Sequence, residues 1–168
     1  NARVPGGDPG VHEPRPPKTV SVCIIVENMA VPRDPRVWRE ALALSQEGYR
    51  VSVICPKQRG FQRSRETLDG IEIYRHSIWE ASGFLGHILE YGWALAAEFL
   101  LALRVFARTR FRVLQACNPP DNIFLIALFF KLFGVRFVFD QHDPVPDFFE
   151  ARFQRKDLLY RALCLAER

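Results

Sequence analysis

Residues 135–147 read VRFVFDQHDPVPD, an apolar run that breaks without a spacer into Asp140, His142, Asp143 and Asp147. One imidazole among three carboxylates can transfer a proton near neutral pH or hydrogen-bond a polar ligand. A buried parallel strand delivers polar side chains to the rim of an open α/β sheet in this way, and ligands bind at that rim. Pro144 and Pro146 stiffen the loop. The competing reading is a surface turn with solvated charges. His12 lies in a Pro/Gly-rich stretch, His76 after a short apolar strand and His87 in a long helical segment, so His142 is the only histidine expected at a strand end. Its chemistry there would be hydrogen bonding to a sugar or phosphate, or proton transfer. A histidine that caps a helix or bonds a carbonyl is the plainer alternative.

A second polar segment, Glu27-Asn28-Met29-Ala30-Val31-Pro32-Arg33, precedes a helix start at Asp34-Pro35. Asp suits the N-cap and Pro the first helical position. Free amides and the dipole at a helix N-terminus favour anions. Asn28, Arg33 and Arg36 are therefore candidates for holding a phosphate or carboxylate; alternatively Asp34 only caps the helix and both arginines face solvent. Neither GxGxxG nor GxxxxGK[ST] occurs, so a dinucleotide fingerprint and a P-loop are both missing. No DxD pair is present to hold a nucleotide-bound cation, and no second soft or imidazole ligand accompanies His142, so no metal site is expected.

Residues 20–26 (VSVCIIV), 50–55 (RVSVIC), 71–74, 112–117 (RVLQAC) and 135–139 read as strands. Helices are expected over 34–48, 84–108, 122–133 (after Asn118-Pro119-Pro120-Asp121) and from about 147 onward. Residues 57–69 read as a polar, basic loop. In the 84–108 helix, roughly 37 Å long, Leu85, Leu89, Gly92, Ala96, Phe99, Leu103 and Phe106 share one face; Glu90, Glu98 and Arg104 argue against a membrane span. Arg104, Arg108, Arg110 and Arg112 would suit a membrane-facing surface, and buried core helices are the other account. The order β-α-β-β-α-β-α-β-α predicts an α/β class, a Rossmann-like three-layer sandwich with a mainly parallel sheet. Right-handed crossovers would bring Asn28, Asn118 and His142 to one sheet edge.

At 168 residues, with 48% apolar and 25% charged residues, the chain is sized for one domain plus a tail. The tail is 1–18, with five prolines and three glycines, and the domain 19–168. Fourteen phenylalanines imply a large aromatic core. The net charge of +4 suits an anionic ligand or membrane surface, and no Lys/Arg run is dense enough to make nucleic acid the partner. Cys23, Cys55, Cys117 and Cys164 form no CxxC pair and fit reduced thiols in a reducing compartment. The chain starts at Asn1 and stops within an apparent helix, so a fragment of a longer protein is expected.

Two stretches carry a resemblance. Asp34-Pro35-Arg36-Val37-Trp38-Arg39-Glu40-Ala41, followed by Gly48-Tyr49-Arg50-Val51-Ser52-Val53, resembles the opening of the amino-terminal domain of GT-B glycosyltransferases of the retaining family 4 group. Members often carry D-P-R-V-x-x-E-A and then G-[HY]-x-V-x-V. Asn118-Pro119-Pro120-Asp121 and Asp140-Gln141-His142-Asp143 are also similar, the latter to that family's D-x-H-[ED]. The resemblance covers residues 19–168 and implies the N-terminal half of a GT-B fold. It implies His142 as the catalytic histidine reaching the donor sugar, with Asn28, Arg33, Arg36, Asn118, Asp140 and Asp143 binding substrate. Many members have a Gly-Gly pair in the first loop; this chain has none, and Arg33 or Arg36 would substitute.

The implied function is the acceptor-binding half of a metal-independent retaining glycosyltransferase. It would use a nucleoside-diphosphate sugar as substrate, no cofactor, and a glycan or lipid-linked acceptor of cell envelope polysaccharide biosynthesis. Its partner would be a C-terminal donor-binding domain, without which the chain would be inactive. Its place would be the cytoplasm, peripheral at the inner face of the membrane. Two alternatives stand: a non-catalytic, membrane-associated subunit recruiting a separate donor-binding chain, and half of a GT-B sugar epimerase.

Overall fold

The computed structural model describes residues 20–79, 84–117 and 121–140. The expected tail and the expected last helix lie outside the described residues. The elements are β1 (Ser21–Val26), α1 (Pro35–Gln46), β2 (Arg50–Pro56), β3 (Arg65–Leu68), β4 (Ile71–His76), α2 (Phe84–Thr109), β5 (Val113–Cys117), a 3-10 turn (Asp121–Ile123), α3 (Phe124–Lys131) and β6 (Arg136–Asp140). They build one six-stranded sheet in the order β3-β4-β2-β1-β5-β6. All pairs are parallel except β3 with β4. This is the α/β Rossmann-like fold that the alternating pattern predicts.

Continuous apolar strands serve both faces of this sheet. In β1, Val22, Ile24 and Val26 pack towards α1 with Val37 and Ala41, while Cys23 and Ile25 pack towards α2 and α3 with Ala102, Val105, Ile126 and Phe130. Burial on both faces is what a parallel sheet between helix layers requires. The second side is aromatic. Phe106 lies 5.0 Å from Phe111 and 5.2 Å from Phe130, and Phe99 lies 5.0 Å from Phe129, in tilted or edge contacts. Asp34 caps α1, accepting from the amides of Arg36 at 3.0 Å and Val37 at 3.2 Å.

Four expectations need correction. The loop expected over 57–69 contains β3, which pairs antiparallel with β4 across Asp69-Gly70, both with positive φ (48° and 79°). Asp-Gly is a strong signal for a tight hairpin turn, and it was outweighed by the polarity of β3, whose residues lie at the sheet edge. β4 itself runs on to His76, so a histidine not expected at a strand end lies there. The core-facing stripe of α2 is displaced by about one residue. Glu98, Ala102 and Val105 are buried, whereas Leu89, Gly92 and Ala96 are exposed. A glutamate at the centre of the buried face defeats a count of apolar residues. Finally, the helix expected over 122–133 begins as a 3-10 turn and is α-helical only from Phe124 to Lys131, with no side-chain cap at Ile123.

Candidate functional site

Parallel pairing puts Val26, Cys117 and Asp140 in one row at the carboxyl ends of β1, β5 and β6. Asn28 leaves the sheet two residues past the first of these. Asn118 directly follows the second in the chain and His142 is two residues past the third, but Asn118, His142 and Asp143 lie outside the described residues. Asp140 is half-buried, and its Oδ2 accepts from the Cys117 thiol at 3.9 Å. Burial pushes that thiol up to about 12, with Asp140 and Glu40 adding to the effect. The Cys117 sulfur is also 3.9 Å from the Gln115 amide, which donates to Glu40 on α1 at 2.9 Å.

The loop after β1 is held from three sides. Gln58 brackets it: its Oε1 accepts from the Ala30 amide at 3.1 Å and its Nε2 donates to the Asn28 carbonyl at 3.2 Å. The Val31 amide points at the Cys55 sulfur at 3.5 Å, and the Val31 carbonyl accepts from Arg75. Arg33 and Arg36 both face solvent; Arg36 Nε is 3.9 Å from the capping carboxylate of Asp34. The structure brings Asn28 together with a different set of side chains.

That set encloses a cavity of about 200 Å³ at the carboxyl ends of β1 and β4. Glu27 and Asn28 come from the β1 loop, His76, Ser77, Ile78 and Trp79 from the end of β4, and Glu90, Trp93 and Ala94 from α2. Behind it stands Glu98, fully buried, with Oε1 3.5 Å from His76 Nε2. His76 Nδ1 faces the Ser77 carbonyl at 3.4 Å. Burial raises the Glu98 carboxyl, against a lowering pull from His76. Burial also raises Glu27, to about 8, and the carboxylates of Glu98 and Glu90 push it the same way.

Sequence reasoning missed His76, Glu27 and Glu98 as a group. Glu27 precedes His76 by 49 positions and Glu98 by 71, and Glu98 counted only as a charge breaking an apolar helix. A buried-helix pattern with one carboxylate at the core-facing phase is the signal that would have found it. Aromatic walls with carboxyl and amide acceptors can stack on an apolar ring face and bind hydroxyl or ammonium donors. Among the described residues no group of three His, Cys, Asp or Glu is placed to hold a metal ion. No described helix is long and apolar enough to cross a membrane.

No protein-family profile matches the chain, and no curated protein matches it. Two of the solved structures that share its fold illustrate its range. The sucrose-phosphate synthase of Thermosynechococcus elongatus superposes with a TM-score of 0.60 at 12% identity, over 88% of this chain and 39% of that one. The C-terminal domain of a hydrogenase from Pyrococcus furiosus superposes with a TM-score of 0.51 at 14% identity, over 75% of this chain and 94% of that one. The chain thus spans well under half the length of the synthase. Two neighbours of such different chemistry establish the fold and leave the function to the site.

Proposed function

We propose that this chain is the acceptor-binding half of a retaining glycosyltransferase that takes a nucleoside-diphosphate sugar as donor. The observation that carries the reading is the row formed by Val26, Cys117 and Asp140 at the carboxyl ends of β1, β5 and β6, positions that Asn28, Asn118 and His142 follow by one or two residues in the sequence. Ligands of open α/β sheets bind at that edge. The motif resemblance assigns His142 the donor sugar, and the synthase whose fold this chain shares over 39% of its length is named for making a sugar phosphate. The chain would supply the acceptor wall of a cleft whose donor wall belongs to a second domain, without metal or cofactor, in the cytoplasm at the membrane face.

The test is to incubate the purified chain with UDP- and GDP-sugars and follow nucleotide release, and to titrate it with UDP and GDP alone. The expected outcome is neither release nor tight nucleotide binding. Transfer or hydrolysis by the chain by itself would overturn the assignment of the donor site to another domain.

A second reading, a non-catalytic subunit recruiting a donor-binding chain at a membrane, is favoured by one observation. The outer side of α3 leaves Phe124, Leu125, Leu128, Leu132 and Phe133 exposed, next to the exposed cations Lys131 and Arg136. Contiguous apolar surface of this kind marks interaction sites. Vesicle flotation of the wild type against a Leu128→Glu, Leu132→Glu variant tests it; unchanged partitioning would remove its support.

A further inference from the structure

The cavity at the carboxyl ends of β1 and β4 lies on the sheet edge that Val26 marks, since Glu27, the next residue, lines it. Its volume of about 200 Å³ is below the roughly 300–1,000 Å³ of clefts that enclose a drug-sized ligand, so it holds about one ring. Two kinds of surface meet there. Trp79 and Trp93 are 50% and 54% exposed, so two large indoles of the lining stand half open to solvent. With them stand Asn28 and Glu27, and Glu27 Oε2 is buried without a hydrogen-bond partner. Burial and the neighbouring carboxylates keep the proton on Glu27 at neutral pH. A protonated carboxyl donates one hydrogen bond and still accepts others. Behind the lining, the buried Glu98 faces His76, Oε1 to Nε2 at 3.5 Å, so that pair closes on itself. No lysine or arginine is among the described residues that line the cavity.

We propose that this cavity seats one uncharged pyranose ring of the acceptor, with its C–H face against Trp79 or Trp93 and its hydroxyls on Glu27 and Asn28. A hydroxyl donates and accepts at once, and so do a protonated carboxyl and a carboxamide, so each side of the contact satisfies the other. The C–H face of the ring removes indole surface from water. Charged ligands match the lining less well. A cation would need a net negative wall, but Glu27 is neutral and Glu98 is turned to His76. An anion finds no cationic side chain in the lining and meets the Glu90 carboxylate there. An acyl chain would strip water from Glu27 and Asn28 and return no hydrogen bond, which costs free energy. The inference rests on the proposed function only in giving the ring to the acceptor.

The experiment titrates the full chain at neutral pH with glucose, galactose, mannose and N-acetylglucosamine, reading tryptophan fluorescence and heat. Glucosamine, glucose 6-phosphate and uridine serve as cationic, anionic and nucleoside controls. The expected result is saturable binding of at least one neutral sugar, with its charged counterpart binding no tighter. Trp93→Ala should lower that affinity about tenfold, the size of one ring contact. Trp79→Ala is the second aromatic variant should the first unfold, and melting curves establish that each variant is folded. Glu27→Gln should hold the affinity within about twofold, because a carboxamide keeps both a donor and an acceptor. Glu27→Leu should lower it about tenfold. Tenfold tighter binding of glucosamine or glucose 6-phosphate than of glucose would show that the site reads charge and would overturn the inference. Uridine binding tighter than every neutral sugar would assign the indoles to a base and overturn it too. So would a lack of saturable binding by all four neutral sugars, or full affinity in both tryptophan variants. Each of these failures leaves the glycosyltransferase reading intact. Nucleotide-sugar turnover, measured separately, decides the proposed function on its own.

Discussion

Arg75 and Glu66 form an ion pair at 2.6 Å that ties the β3–β4 hairpin together, and the same Arg75 nitrogen, Nη2, donates to the carbonyl of Val31 in the loop after β1. The Arg75 side chain is fully buried. Its Nη1 donates to the Arg63 carbonyl at 3.3 Å, and its guanidinium stacks 5.4 Å from the Phe61 ring centroid. One buried cation therefore links the hairpin at the sheet edge to the loop that carries Asn28.

Removing it should be costly. Arg75→Met keeps much of the volume but leaves Glu66 and the Val31 carbonyl without their donor. The expected loss is about 3 kcal/mol, the usual penalty for breaking a buried pair on one side. Urea unfolding monitored by circular dichroism checks it, and a loss within about 0.5 kcal/mol would mean that water replaces the guanidinium.

Glu27 gives stability a pH dependence of definite sign. Its folded-state carboxyl is raised from 4.5 to about 8, by burial first and then by Glu98 and Glu90, with His76 lining the same cavity. Between those values the folded state holds a proton that the unfolded state has released, so stability falls as pH rises. Below 4.5 both states are protonated and the cost vanishes. Glu27→Gln should leave the melting temperature unchanged at acid pH and raise it by roughly 2–4 °C at pH 8. A difference from wild type that does not vary with pH would refute the assignment.

The thiols of Cys23, Cys55 and Cys117 are buried, and burial raises all three above the ordinary range, that of Cys117 to about 12. A thiol without thiolate character is a poor nucleophile. Alkylation at pH 8 followed by peptide mapping should leave these three unmodified in the folded chain and modify them in urea. Rapid labelling of Cys117 in the native state would show that its environment beside Asp140 is open.

Phe130 is fully buried, with the rings of Phe106, Phe111 and Phe129 5.1 to 5.3 Å away. Phe130→Ala should cost about 3–5 kcal/mol, because rings held on three sides cannot collapse into the space left. Asp34→Ala, by contrast, removes one cap and should cost about 1 kcal/mol. Thermal unfolding of the two variants side by side checks the order.

Much of the fold was legible because it is local in origin. The runs VSVCIIV and RVSVIC can be nothing but strands buried on both faces, and Asp34-Pro35 specifies a helix start through the cap it makes. The alternation of these elements, with right-handed crossovers, sufficed to place the ends of β1, β5 and β6 together. β3 escaped because an edge strand with alternating Arg65, Glu66, Thr67 and Leu68 has little apolar signature, leaving Asp69-Gly70 as its only strong mark.

The candidate site divides the same way. Asn28 and Asp140 could be named from the chain because each follows an apolar run at which a strand must end. The meeting of Glu27, His76, Glu90 and Glu98 could not, since no spacing relates them. Whether a glutamate on a helix is a solvated charge or a buried carboxyl depends on the rotation of that helix against the sheet. Here α2 turns Glu98, Ala102 and Val105 inward, and the small side chains let it lie close enough for His76 to face the carboxyl. Sequence alone determined the buried parallel strands, the order of the layers and the edge at which the ends of β1, β5 and β6 gather, because burial pattern and chain handedness are written residue by residue. Only the tertiary structure decided which polar groups share a cavity there, because helix rotation and side-chain burial follow from packing between segments far apart in the chain.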